Sequence, residues 1–426
     1  MARIALHTLG CKLNFSETAA LARQLSAQGH TITEWDVPAD IYVLNTCTVT
    51  HQAERKAHKL IRQVRRRTPA AQVVVTGCYA QLRPEALQKL EGVVLVASNQ
   101  EKPRLAEAIN AIARQNSFEL PLERESKWDF WITHSGEGRT RAFLKVQDGC
   151  DYKCSFCIVP QARGPSRSLP PEKIIEEALR IAEAGFKEIV LTGINLGDYG
   201  KPHGVSFIKL LQGLEAQTPS SVARFRLSSI EPNLLSDELL DFVAAHTRWA
   251  PHFHLPLQSG SDRILGLMRR RYRRKLYEKR IEAILQRFPT AGIGVDVIVG
   301  FPGETEKDFQ ETKRFIADLP VSYLHVFPYS ERPGTPAANF SNPVPWPERL
   351  RRSEVLREIG LRKKYTFAQK CYNQPAEVLL ETPNEGLTAN YLRVHLKTPR
   401  LPGELVPVII GEEAKPIIQG WRGNEN

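Results

Sequence analysis

The stretch FLKVQDGCDYKCSFC, residues 143–157, joins a β-strand pattern to three closely spaced cysteines. Residues 143–147 read as a buried strand, and Cys150, Cys154 and Cys157 follow in a C-x3-C-x2-C arrangement. Three thiolates within eight residues can ligate one face of a metal cluster from a single loop. A closed structural zinc site needs a fourth Cys or His at suitable spacing, and the nearest histidines, His134 and His203, lack it. Three fixed thiolates with one open position suit a 4Fe–4S cluster whose fourth iron binds something else. A zinc knuckle completed from a distance, or three unrelated thiols, are the alternatives.

Downstream of this motif the β-α rhythm repeats. Strand patterns recur at 188–193, 224–229, 252–257, 294–300 and 323–329, with helical patterns such as 171–184, 262–268 and 304–318 between them. Six consecutive units predict a partial, open β/α barrel, in which functional groups gather at the C-terminal ends of the strands. Those ends carry Thr192, Gly193, Ile194 and Asn195, then Ser228, Ser229 and Glu231, then Gln258 and Ser259, then GFPGET at 300–305. Such groups can hold the amino-acid and nucleoside parts of a cofactor, although helix capping alone explains Ser261 and Thr305.

Upstream, RIALHTL, DIYVLNT, QVVVTG and VVLVA alternate with helical patterns at 16–28, 52–67 and 84–91, which predicts a small, mostly parallel sheet. Cys11, Cys47 and Cys78 each follow one of these strands directly, at intervals of 36 and 31 residues. In a parallel sheet the C-terminal strand ends share one edge, so the three thiols are expected to converge as a second metal-cluster site. Cys371 has no partner in this scheme and is expected to be structural. The connector at 114–140 carries Trp128, Phe130 and Trp131, a cluster suited to interdomain packing. After a basic helix that ends near Lys364, the runs AEVLLE, YLRVHLK, LVPVIIG and PIIQGW predict a small β-barrel. The expected division is 1–125, 138–365 and 366–426, an α/β chain throughout.

The 426 residues are 42% hydrophobic and 25% charged, an ordinary globular balance. No apolar run approaches the roughly 20 residues that span a bilayer, and the N-terminus has no signal-peptide pattern. The expected setting is the cytoplasm, where thiols stay reduced. The net charge of +11 is concentrated in three strips: +6 over 51–67, +6 over 269–275 and +5 over 349–364. Strips of this kind suit a polyanion partner such as a nucleic acid, although each alone also fits a solvated helix face. From 375 onward the tail carries five basic and seven acidic residues, so its charge does not mark it as an RNA binder.

GCDYKCSFC resembles the signature of the radical S-adenosylmethionine (SAM) enzymes, with Phe156 at the usual aromatic place before the last cysteine. TLGCKLN, NTCTVT and VTGCYAQ resemble the N-terminal motifs of the methylthiotransferases. RLSSIEP, HLPLQSGSD and DVIVGFPGET are similar to that family too, and the tail resembles its TRAM module. The resemblance implies that Cys150, Cys154 and Cys157 hold a 4Fe–4S cluster that chelates SAM, and that Cys11, Cys47 and Cys78 hold an auxiliary 4Fe–4S cluster. With that cofactor, the polar strand ends and the aromatic of the motif are expected to supply SAM contacts among Phe156, Thr192, Gly193, Asn195, Ser229, Glu231 and Gln258, and the 269–275 strip RNA contacts at Arg269, Arg270 and Arg271. The chemistry implied is transfer of a methylthio group by way of a 5′-deoxyadenosyl radical, with a small electron donor such as flavodoxin or ferredoxin.

Within the family, FLKVQDGC, NTCTVT and TLGCKLN look most like the branch that acts on N6-threonylcarbamoyladenosine beside the tRNA anticodon. Isopentenyladenosine in tRNA and an aspartate of a ribosomal protein are the other substrates, and the acidic tail keeps the latter open. A cobalamin-dependent relative would need Asp-x-His-x-x-Gly, but Ala5 stands two places before His7 where Asp should be. A non-catalytic iron–sulfur RNA sensor would explain the cysteines and basic strips, but not the polar strand ends.

Overall fold

A computed structural model describes residues 1–114, 129–135 and 140–419. Trp128 lies outside the described residues, as do the last two residues of the PIIQGW run, Gly420 and Trp421.

The N-terminal sheet is parallel and five-stranded, in the order Thr31–Thr33, Arg3–Thr8, Ile41–Thr46, Gln72–Gly77, Val93–Val96. Four of these strands match the sequence reading. The fifth, Thr31–Thr33, is three residues long and has no fully buried position, so it leaves no hydrophobic period to read. Ile41–Thr46 is buried at every position because helices cover both faces of the sheet. Helix His51–Arg67 is capped by Thr50, whose side chain accepts from the Ala53 N–H. It buries Ala57, Ile61 and Val64 on one stripe and turns its cations outward.

The second unit contains the six parallel strands expected: Arg141–Lys145, Glu188–Thr192, Arg224–Leu227, His252–His254, Gly292–Val299 and Tyr323–Pro328. Isolated parallel bridges, Phe225 to Trp249 and Ser229 to His254, join the first three to the last three. The short strand His134–Ser135 pairs antiparallel with Arg141–Lys145 and ends the sheet there. Trp131, from the connector, packs on the N-terminal domain's core, as interdomain packing requires.

Helix Trp346–Cys371 runs seven residues past the expected stop at Lys364. The extension contains neither Gly nor Pro, and Ala368 and Cys371 are drawn into the C-terminal core beside Val378 and Val394. The helix therefore crosses the boundary expected at 365–366 and belongs to both units. The C-terminal strands form one five-stranded antiparallel sheet curled into a half-barrel. It covers the N-terminal ends of the barrel strands: Arg224 donates to Glu377 O at 3.0 Å and Arg226 to Ala389 O at 2.7 Å. The fit is close at Gly292, where a Cβ would lie 2.0 Å from Asn390 O. No helix among the described residues is long and apolar enough to cross a membrane.

Candidate active site

Cys150, Cys154 and Cys157 occupy the loop after the first barrel strand. Gly149 enters that loop at φ +70°, and a Cβ there would meet Pro165 O at 1.9 Å, so only glycine fits. The loop is pinned from across the barrel. Ser155 Oγ donates to Leu267 O at 2.7 Å, Ser155 N to Met268 O at 3.1 Å, and Ala337 N to Ser155 O at 2.8 Å. Burial, reinforced by the neighbouring thiols, pushes Cys157 up to about 12, and burial pushes Cys150 up to about 11. Three cysteines on one pinned loop are an all-sulfur donor set, and such donors suit an iron–sulfur cluster.

Cys11, Cys47 and Cys78 meet at the C-terminal edge of the N-terminal sheet, on three adjacent strands. Gly10, at φ +102°, would place a Cβ 2.8 Å from the Cys47 Cβ, so the first and second loops touch directly. Asn14 Nδ2 locks them by donating to Leu9 O at 2.8 Å and Thr46 O at 3.1 Å. Burial pushes Cys47 up to about 12, and both other thiols add to the shift because they lie close to it. This donor set fits the same kind of cluster.

The two sites are fastened together by a buried ionic network. Arg163, six residues after Cys157, donates to Glu17 at 3.1 Å, Asp148 at 2.9 Å and Asn14 at 2.5 Å. Lys102 and Lys145 complete Glu17, and Arg167 completes Asp148. Burial of Asp148 is outweighed by Arg163, Lys145 and Arg167, which hold its carboxyl down at about 2. Asn99 adds a further bridge, donating to Ala162 O at 2.7 Å beside the Cys78 sulfur at 3.7 Å. These residues escaped the sequence reading, because isolated polar residues scattered over helices, strands and loops carry no motif.

Between the triads lies a cavity of about 250 Å³. Val49 and Thr50 line it from the N-terminal domain, and Phe156, Cys157, Gln258, Asp296 and Phe327 from the barrel. Gln258 adopts φ +67°, a left-handed conformation uncommon outside glycine, at the cavity wall. Phe327 is 43% exposed, an uncovered ring facing this space. Asp296 accepts from His254 Nε2 at 2.9 Å and His325 Nδ1 at 3.0 Å, while Ser229 Oγ meets His254 Nδ1 at 2.6 Å. Burial raises the Asp296 pKa, but these two imidazoles more than reverse it and hold the carboxyl well below its ordinary range.

The sequence-derived cofactor residues separate into two kinds. Asn195 Nδ2 and the neighbouring Ser228 Oγ are buried without a hydrogen-bond partner among the described residues, which fits a bound polar ligand. Phe156 and Gln258 line the cavity. Thr192 Oγ1 instead donates to Leu144 O at 3.0 Å within the sheet, and Gly193 leaves room for Gln147, whose Oε1 would lie 2.9 Å from a Cβ. Ser229 orients His254. Glu231 pairs with Arg270, whose Nη1 donates to Cys154 Sγ at 3.1 Å.

That contact corrects one expectation. Arg270 is 7% exposed and committed to Cys154 and Glu231, so it is not a phosphate contact on an open cationic strip. Arg269 and Arg271 are exposed, with Arg271 stacked 3.9 Å over the Tyr152 ring. The 349–364 strip is also partly structural: Arg349 and Arg352 are buried on Glu331, Glu304 and Glu348. In 51–67 the side chains of Arg55, Lys56, Lys59, Arg62 and Arg66 face solvent.

This fold with its three-cysteine loop is that of the radical SAM superfamily, which residues 144–316 match; residues 3–98 match Uncharacterized protein family UPF0004. The chain is 39% identical to threonylcarbamoyladenosine tRNA methylthiotransferase MtaB of Aquifex aeolicus, over 96% of this chain and all of that one. It is 37% identical to the MtaB of Bacillus subtilis over 99% of this chain and 96% of that one. Identity to the tRNA-2-methylthio-N(6)-dimethylallyladenosine synthase of Dictyoglomus thermophilum is 33%, covering 97% and 96%. The chain belongs to the tRNA methylthiotransferase family of radical SAM enzymes. Among solved structures it shares a fold with the radical SAM methyltransferase TsrM of Kitasatospora setae, with a TM-score of 0.57, 16% identity, and 79% and 77% coverage.

Proposed function

We propose that this enzyme adds a methylthio group to carbon 2 of N6-threonylcarbamoyladenosine in tRNA. The observation that carries the reading is a cavity lined by both Cys157 and the loop after Cys47, because sulfur insertion needs a radical source and a sulfur source on one substrate atom. When bound, SAM and two 4Fe–4S clusters supply a 5′-deoxyadenosyl radical and a methylated sulfur.

The chain's own residues position and enclose. Cys150, Cys154 and Cys157 hold one cluster; Cys11, Cys47 and Cys78 hold the other. Asn195 and Ser228, with unspent hydrogen-bonding atoms, face the SAM side together with Glu231. Arg163 and its carboxylates fix the distance between the triads. The apolar wall of Phe156, Ile158 and Phe327 excludes water from a reactive carbon radical. The exposed face of helix His51–Arg67, beside the cavity through Thr50, carries the phosphate-facing charge, and Arg269 and Arg271 add to it. The reaction belongs in the cytoplasm with tRNA, with electrons from a small reductase such as flavodoxin or ferredoxin.

The test is reconstitution of both clusters, reaction with SAM, reductant and tRNA, and nucleoside mass spectrometry. Conversion of N6-threonylcarbamoyladenosine to its 2-methylthio form supports the reading. Conversion of isopentenyladenosine alone replaces it with the other tRNA branch, and 5′-deoxyadenosine without a tRNA product favours the ribosomal-protein substrate.

A further inference from the structure

Strand Tyr323–Pro328 turns Tyr323, His325 and Phe327 to one face, while Leu324 and Val326 are buried on the other. Successive residues on that face are about 6.6 Å apart. Phe327 lines the cavity between the cysteine triads, and His325, one step along, lines a second cavity of about 220 Å³. Asp296 lies opposite His325 in register and joins the two spaces through its bond to His325 Nδ1.

The second cavity has a distinct character. Lys364, from helix Trp346–Cys371, and Arg393, from the C-terminal sheet, line it with Tyr323 and Tyr391, and among the described residues no carboxylate does. Glu381 and Glu385 already balance Arg393. Lys364 has no ion-pair or hydrogen-bond partner among the described residues, and His325 has spent only Nδ1. A partly buried, aromatic-walled space with an unbalanced cation is suited to a small organic anion.

From this juxtaposition we infer that the second cavity is the subsite for the carboxylate of the N6 substituent, with the purine held over Phe327 in the first. The inference rests on the reading given under Proposed function and deepens it. Phe327 supplies a π-face for the base, Asp296 accepts from the exocyclic N–H, and His325 and Lys364 receive the anionic arm. A neutral isopentenyl group would leave Lys364 unpaired, so the subsite selects between the two modified adenosines.

The experiment compares two tRNAs, one with the free threonylcarbamoyl carboxylate and one with its methyl ester. KM is measured for the wild type and for Lys364→Ala, Lys364→Arg and His325→Gln, each checked for full cluster content. The wild type is expected to favour the free carboxylate roughly tenfold, as one charge-assisted contact provides. Lys364→Ala and His325→Gln should bring that preference close to one, and Lys364→Arg should retain it. Equal KM values for acid and ester in the wild type overturn the subsite. Equal losses on both tRNAs in the variants also overturn it, because the cations then meet RNA phosphate. If the wild type modifies neither tRNA, the parent reading falls instead.

Discussion

Arg163 Nη2 donates to Asn14 Oδ1 at 2.5 Å, so the segment behind Cys157 is tied directly to the segment that begins at Cys11. The same guanidinium spans Glu17 and Asp148, and all four groups are buried. A buried ion pair adds little net stability over an apolar replacement, but removing one partner strands the others. Its function here is geometric: it sets how far apart two three-cysteine sites sit.

Arg163→Ala should therefore cost about 3 kcal/mol, because Glu17 and Asp148 lose the cation that joins them. The thermal unfolding midpoint is the readout. Arg163→Lys should recover only part of the loss, since an ammonium cannot reach three acceptors as a planar fork does. An unchanged midpoint in the alanine variant would show that Lys102, Lys145 and Arg167 suffice.

Acid should unfold the barrel through Glu188. Burial pushes this carboxyl up, but Arg226, with Arg224 and Arg141, more than compensates and holds it at about 2, against an ordinary 4.5. A folded value below the unfolded one gives stability that is complete above about pH 4.5 and lost as pH falls through 2, about 3 kcal/mol in all. Urea denaturation at pH 7 and pH 3 should show a smaller drop for Glu188→Gln than for the wild type, and parallel drops would contradict the assignment.

The two triads should differ in what their loss abolishes. Cys150→Ala is expected to stop SAM cleavage altogether. Cys47→Ala should still release 5′-deoxyadenosine from SAM, yet form no methylthio product. Normal methylthiolation by Cys47→Ala would remove the auxiliary site from the account.

Much of this was legible in the chain itself. Cys11, Cys47 and Cys78 could be placed on one edge because each follows an apolar strand, and parallel pairing leaves those ends together. The six barrel units were visible for the same reason. Arg270 was not, because a basic run reads alike whether its members face water or a thiol; only the packing of residues 268–272 under the Cys154 loop turns the middle arginine inward. The hydrogen-bonded cluster of Asp296, His254 and His325 was equally hidden. Its members lie on three strands, and only the register of Asp296 opposite His325 brings them together.

Helix His51–Arg67 should dominate the salt dependence of RNA binding. Replacing Arg55, Lys59, Arg62 and Arg66 with Gln should weaken tRNA binding and flatten the slope of log affinity against log salt. Arg352→Gln should leave that slope unchanged, since its charge is spent on Glu304 and Glu348. Equal slopes in both variants would make the helix a solvated face only.

The most direct measurement is nucleoside mass spectrometry on bulk tRNA from cells with and without this gene. Loss of 2-methylthio-N6-threonylcarbamoyladenosine, with its unmethylthiolated precursor accumulating and 2-methylthio-isopentenyladenosine unchanged, is the expected result. Persistence of the threonylcarbamoyl product in the deletion strain would contradict the account.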